Sequence, residues 1–301
     1  MSVTSAPESL RSTGAASSDT TPRRPRLAFD SRFVAPILIT TILLVAHVGY
    51  GILEAYPKTL LAIGTSIITE VLLGLWITKK VPHLASAYIS GISCGILVRS
   101  PEWWPYALAA MISITSKYVI RVNGRHLWNP SNLGIAALLF LAPQTVASLS
   151  IQWGNNLGAM AVIWCLGAFI VAKLRRLHIC ATYVASFFAF ALLRAVIGGM
   201  HGSDATLWSR FLAEAAPITG PMYQLFIFFM ITDPKSTVMT RKGQMWVVFG
   251  VAAMECVLRL AGNVHAPYYA LFLVGPFANL LEIGKQEWNK RRLAPAQAVP
   301  V

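Results

Sequence analysis

Apolar residues run along this chain in blocks of about twenty, separated by short polar or basic connections. Blocks of that length match the run a helix needs to cross a bilayer core. Ten of them are predicted, near 34–53, 59–78, 84–99, 103–121, 132–150, 155–172, 178–199, 217–232, 245–261 and 266–284. The third and fifth are the shortest or least regular. The eighth stops abruptly in FFMITDPKSTVMTRKGQ (228–244), where Asp233-Pro234 interrupts the apolar run and Ser236, Thr237 and Thr240 follow. Proline lacks the amide donor and pushes its predecessor out of the α region, so the helix must end or break there. The break leaves free carbonyls, a carboxylate and hydroxyls at a membrane boundary. Such backbone is tolerated at membrane depth only where protein buries it or it lines a wet cavity.

Composition agrees. The 301 residues are 55% hydrophobic and 12% charged, with mean hydropathy +0.58. A soluble domain carries roughly 25% charged residues. The expected fold class is therefore an all-α polytopic membrane protein, with a transmembrane domain over 31–286. Residues 1–30 read as a disordered basic cytoplasmic tail and 287–301 as a second basic tail. Arg23-Arg24-Pro25-Arg26 ahead of the first block raises a secretory or twin-arginine signal as the competing reading. The block is too long for a signal core and lacks a clean cleavage site, so it is assigned as a first span.

The net charge of +13 is explained by where the charges fall. With both termini cytoplasmic, only Lys58, Arg99, Arg194, Arg210 and Arg259 of the 25 basic residues lie outside the inner segments. That is the positive-inside bias of a plasma-membrane protein. It also suits anionic lipid headgroups, and nucleic acid is not needed as a partner. Cys94, Cys165, Cys180 and Cys256 lie in or beside apolar blocks with no metal-ligand spacing, so they are expected as buried thiols.

Two sets of five spans would form an inverted repeat. Arg99-Ser100-Pro101 ends the third span as Thr232-Asp233-Pro234 ends the eighth. Asn123-Gly124 with His126 and Pro130 is echoed by Gly262-Asn263 with His265 and Pro267. Inverted repeats with interrupted helices carry their site between the halves.

Candidate site residues come from the two punctuated motifs. In 117–134, Asn129-Pro130-Ser131-Asn132 caps a helix start at least. It also offers Asn129, Asn132 and helix amides to a ligand's polar edge, with Lys117 and His126 near. In the second motif Asp233 is an N-cap type of residue. Lys235, Arg241 and Lys242 are its available ion partners, and Ser236 and Thr240 supply hydroxyls. Among ionisable residues inside spans, Glu255 and Arg259 are spaced for an i, i+4 pair. Arg194 stands alone, and Glu70 has no local partner, making it the better candidate for a polar pathway. The small-residue stretch 90–95 permits close helix contact.

At these motifs the chain resembles the NqrB/RnfD family, membrane subunits of ion-linked redox complexes. The matching residues are Lys117, Gly124, Asn129-Pro130 and Asn132; Thr219-Gly220 ahead of 228–234; Ser236, Thr240 and Gly243; and Tyr269-Ala270 with Pro276 and Asn279. The resemblance covers roughly 34–284. It implies a urea-transporter-like fold of ten helices in two inverted five-helix repeats, a flavin within the bundle, and other membrane redox subunits as partners. It places the cofactor-binding set at Lys117, Asn129, Asn132, Asp233, Ser236 and Thr240, with no catalytic or metal residue. Family members of the complexes carry a long outer loop whose threonine holds FMN covalently. Here the corresponding loop, about 143–155, is short and lacks that motif. Ser203-Asp204-Ala205-Thr206 lies in a different loop, so flavinylation is not carried to Thr206. The expectation is non-covalent flavin, FMN or riboflavin, in a compact form resembling the shortened, UnbU-type branch found with enediyne biosynthesis. The competing reading is a channel or carrier for a small polar solute or lipophilic product on the same fold without redox chemistry. A scaffold subunit is the third.

Overall fold

A computed structural model of the chain describes residues 34–50, 56–149, 157–200 and 205–293. The expected N-terminal tail and the second part of the outer loop between the fifth and sixth predicted spans, from residue 150, lie outside the described residues. So does the C-terminal tail beyond residue 293. Eleven helices are described: α1 (Val34–Tyr50), α2 (Tyr56–Leu73), α3 (Ala85–Leu97), α4 (Trp104–Val119), α5 (Pro130–Leu141), α6 (Leu157–Lys173), α7 (Leu177–Met200), α8 (Leu207–Ala215), α9 (Pro221–Leu225), α10 (Arg241–Leu260) and α11 (Ala266–Leu293). Two π-helical turns, Gly74–Thr78 and Phe226–Met230, extend α2 and α9.

Among the described residues, four helical stretches are long and apolar enough to cross a membrane: Tyr56–Thr78, Leu177–Met200, Arg241–Leu260 and Ala266–Arg292. Large apolar side chains such as Val48, Leu60, Phe140 and Leu281 face outward, while Lys117, Arg194, Gln224 and Glu255 are buried. A soluble protein seldom exposes apolar surface so widely; a bilayer is the solvent that accepts it. Most exposed tryptophans lie near the ends of helices, Trp76, Trp246 and Trp288 on one side and Trp103, Trp104 and Trp208 on the other, with Trp164 in the middle of α6 the exception. Their amphipathic rings suit the two headgroup levels.

Packing pairs α2 with α3 and α4, and α4 with α5. Farther along the chain, α7 packs on α10 and α10 on α11. The small residues of α3 bring it onto α2 at backbone distance. A Cβ on Gly91 would stand 2.6 Å from Ile63 Cα, and one on Gly95 2.9 Å from Thr59 Cα.

The short helices differ from the predicted spans. The fifth predicted span overran: α5 ends at Leu141 because Pro143 follows, and the extended pair Ala147–Ser148 (β4) joins Val98–Arg99 (β1). The eighth began too late. A helical run starts ten residues earlier at Leu207, is interrupted around Pro217 and Gly220-Pro221, and continues to Met230. This broken run lies antiparallel to α7: Glu214 meets Arg194, Tyr223 meets Phe187 edge-on, and Cys180 donates to Ile227 O. The chain between α4 and α5 forms a two-residue hairpin, Arg121–Val122 (β2) with Arg125–His126 (β3). Asn123 and Gly124 turn it at φ 51° and 76°, the left-handed backbone such a turn requires.

Of the cysteines, Cys94, Cys180 and Cys256 are buried as expected. Cys165 is exposed on α6, which corrects the fourth assignment: its face of the helix is turned out of the bundle.

Candidate functional site

The break at Asp233-Pro234 ends a helix, as its residue types dictate, and the freed backbone is taken up by side chains. Thr232 Oγ1 donates to Phe228 O at 2.5 Å, and Thr237 Oγ1 to Asp233 O at 2.6 Å. Distant parts of the chain do the rest. Asn129 Nδ2 donates to Met230 O (3.2 Å), Asn279 Nδ2 to Ser236 O (2.8 Å), and Arg125 Nη2 to Thr237 O. Arg125 also pairs with Glu282 at 2.8 Å, whose second oxygen accepts from Met239 N. The irregular segment 231–240 is thus buttressed by the α4–α5 connection and by α11. This meets the demand that backbone outside regular structure find partners.

Behind this segment lies a cavity of about 540 Å³. Lys117, His126, Asn129, Asp233 and the serines of α3 supply its polar groups. Ile89, Ile170, Leu174, Phe228 and Phe229 supply apolar wall. Apolar walls with a few convergent polar groups characterise small-molecule sites of roughly 300–1,000 Å³.

Three of the six predicted site residues, Lys117, Asn129 and Asp233, meet here. Lys117 Nζ sits 3.3 Å from Glu70 Oε2 and 3.0 Å from Ser86 Oγ, and Tyr118 OH donates to Glu70 Oε1 at 2.9 Å. Glu70, without a partner by local spacing, therefore has two from α4. Asn129 is the N-cap of α5, its Oδ1 accepting from Asn132 N at 3.0 Å, and it also faces the cavity. Asp233 does not cap a helix. Its Oδ1 accepts from Lys235 N (3.2 Å) and its Oδ2 from Ser236 Oγ (2.7 Å).

The other three are not on the cavity wall. Asn132, 1% exposed, donates to Tyr268 O at 3.1 Å, and its Oδ1 has no partner. Ser236 holds Asp233 from behind. Thr240 is the N-cap of α10, accepting from Gly243 N at 3.1 Å. Thr206 likewise caps α8, accepting from Ser209 N.

His126 reaches the cavity from the hairpin. It is 7% exposed and its Nδ1 has no partner. Burial pushes its pKa down to about 4. The carboxylate of Asp233 opposes that shift, while Lys235, Arg121 and Lys117 reinforce it. The ring is therefore neutral at physiological pH, and its Nδ1 is left for water or a ligand in the cavity. Sequence reading gave this histidine only a supporting role; a loop position carries no sign of burial.

A second charged cluster lies inside the other half. Glu255 and Arg259 pair at 3.0 Å as their i, i+4 spacing suggests. Tyr183 OH donates to Glu255 Oε2 at 2.5 Å, Tyr223 OH donates to Oε1, and Arg259 Nη2 donates to Tyr223 OH. Arg194, alone in sequence, pairs with Glu214 of α8 at 2.6 Å.

No protein-family model matches this chain, and no curated protein does either. Among the described residues, no three His, Cys, Asp or Glu side chains are grouped to hold a metal ion.

Proposed function

We propose that this chain is an NqrB/RnfD-like protein of the plasma membrane, built as ten spans in two inverted five-helix repeats with both termini cytoplasmic. Its cavity holds a non-covalent flavin, FMN or riboflavin, and its role is membrane electron transfer or cofactor handling beside other redox subunits. The compact, UnbU-like form points to a setting in enediyne-type specialised metabolism. The observation that carries the reading is that the two motifs bearing the resemblance, a hundred residues apart, converge on one cavity and hydrogen-bond each other through Asn129 and Met230. The repeat reading draws support from packing: α2 lies on α4 as α7 lies on α10, and α4 on α5 as α10 on α11.

The residues present suit a planar heteroaromatic ligand. Phe228, Phe229, Ile170 and Leu174 offer faces for a ring system, and Lys117, Asn129, His126 and Asp233 offer polar partners for its edge. The unpartnered His126 Nδ1 is a buried group such a ligand would satisfy. Bound flavin would supply the electron chemistry, and the protein's share is binding, orientation and electrostatics. Lys117, held by Glu70 and Ser86, stands beside the cavity. The apolar wall keeps water off the ring faces.

The test is the visible spectrum of the purified protein before and after acid precipitation. Yellow colour released by acid supports the reading. Colour that stays with the pellet contradicts non-covalent binding. A colourless protein that moves solute across liposomes favours the carrier, a reading to which the size and apolar lining of the cavity also lend themselves.

A further inference from the structure

A second depression, of about 460 Å³, lies between the first half of α1, Ile67 of α2 and the start of α3. It adjoins the cavity. Ala85 lines both, and Ile39 and Ile89 on the cavity side are chain neighbours of Thr40 and Tyr88 on the groove side. The groove faces outward, with Ile37 and Leu84 exposed. Its hydroxyls are already used. Thr40 Oγ1 bonds Pro36 O at 2.8 Å and Tyr88 OH at 2.8 Å, and Thr41 Oγ1 donates to Ile37 O at 2.9 Å. An apolar chain can therefore lie there without stranding a polar group.

The cavity beyond has the opposite character. It contains a buried unpartnered imidazole nitrogen, yet its charges offset: Lys117 is paired with Glu70, and Asp233 stands two residues from Lys235. An uncharged head with hydrogen-bonding groups fits such a site better than an ion does. Only the Thr40–Tyr88 contact is a side-chain hydrogen bond from α1 to α3 among those described.

We propose that the groove between α1, α2 and α3 is a lateral entrance from the bilayer. It takes a single-chain, uncharged amphiphile whose apolar chain lies in the groove and whose head reaches the cavity. The inference rests on the two adjoining spaces and not on the flavin reading; the head and a flavin compete for the same cavity, so the amphiphile is the occupant of the flavin-free protein.

Bilayer chains solvate an apolar tail as well as the groove does, so selectivity must come from the head. That fixes the experiment. The whole protein, in phosphatidylcholine nanodiscs, is photolabelled with a monoacylglycerol carrying a diazirine in its chain. The comparison probe has the same chain ending in a methyl group. The monoacylglycerol should label the segments holding Ile37 and Ile67 saturably, about fivefold above the headless probe, the worth of one good hydrogen bond. Ala85→Phe, which narrows the junction, should remove that excess. Ile67→Trp, filling the groove from α2, should do the same if the first variant fails to fold. Thr40→Val should raise labelling by freeing α1 from Tyr88. Equal labelling by both probes, or labelling as strong at Leu280 and Leu281 of α11, overturns the proposal. So does an excess that survives both filling variants. Labelling without bound flavin leaves this inference standing while the flavin reading falls; flavin binding without selective labelling of the flavin-free protein does the reverse.

Discussion

The N-terminal and C-terminal parts of this chain each bury a charged cluster between helices, and the two are finished differently. In the first half Glu70 of α2 meets Lys117 and Tyr118 of α4, and Lys117 also faces the cavity. In the second, Glu255 and Arg259 of α10 meet Tyr183 of α7 and Tyr223 of α9, with Glu255 1% exposed. The second cluster is saturated with partners, although the Arg259 side chain stays 19% exposed. Each carboxylate oxygen accepts a phenol, the guanidinium takes one oxygen and a phenol, and Phe187 lies 6.0 Å from Arg259. The first cluster borders a space where the His126 Nδ1 still lacks a partner. A fully satisfied buried network rigidifies a fold, while an incompletely satisfied one beside a cavity invites a ligand. Charge inside a membrane bundle is thus not by itself a functional mark; what the neighbours leave unsatisfied decides.

The comparison breaks first at Glu255. Glu255→Leu strands the half-buried Arg259 guanidinium and two buried phenols, which should cost about 3–5 kcal/mol. Thermal unfolding in detergent, followed by monodispersity, would show a severe loss. Adding Arg259→Met should recover much of it, since removing both charges avoids the unpaired ion. A single variant as stable as the parent would mean that this saturated cluster is not structural.

On the cavity side the expected effects are smaller and depend on pH. His126 has an ordinary pKa near 6.5 when unfolded and about 4 when folded. Above pH 6.5 it is neutral in both states and contributes nothing pH-dependent. Below that, the unfolded chain takes up a proton that the folded one refuses, so stability falls as pH drops from 6.5 toward 4. The full loss is roughly 3 kcal/mol. Carboxylates titrate in the same window, so the measurement is the difference between the parent and His126→Gln. The parent should lose stability more steeply; parallel curves would show that His126 is hydrated in the folded state.

Glu70→Gln should be milder than its counterpart at Glu255. The amide oxygen still accepts from Tyr118 or Lys117, and the cavity offers Lys117 other partners. A loss of about 1–2 kcal/mol is expected. If the cavity holds flavin, its absorption band should move while yield is kept. A collapse matching that of Glu255→Leu would erase the distinction between the clusters.

What the sequence disclosed follows the range of its signals. Proline at 234, the cap at Asn129 and the i, i+4 pair at Glu255 and Arg259 are local, and the structure contains all three. The partners of Glu70 lie 47 and 48 residues away, and Tyr183 lies 72 from Glu255, so no spacing rule reaches them. The span ending at Met230 was begun too late because Pro217 and Gly220-Pro221 look like a helix start. They interrupt a longer run whose first part, α8, is amphipathic and falls below a hydropathy threshold. Of the six candidate residues, Lys117, Asn129 and Asp233 reach the cavity, and each stands beside a helix break. Thr240 and Asn132 share that place but point elsewhere, a matter of rotation about a helix axis that motif spacing does not encode.

The finest test compares two caps. Asn129 and Thr240 each accept a backbone hydrogen bond at a helix start, at 3.0 and 3.1 Å. Replacing either by alanine should cost about 1 kcal/mol on that account. Asn129 does one thing more: its amide nitrogen reaches Met230 O, across the boundary between the halves. Asn129→Ala should therefore cost about 1 kcal/mol beyond Thr240→Ala, the net value of one buried hydrogen bond. Asn129→Asp separates the contributions, because it keeps the cap acceptor and removes the donor to Met230. If Asn129→Asp is as stable as the parent, the link between the halves at this point contributes nothing measurable, and the cavity is held together by Asn279 and Arg125 instead.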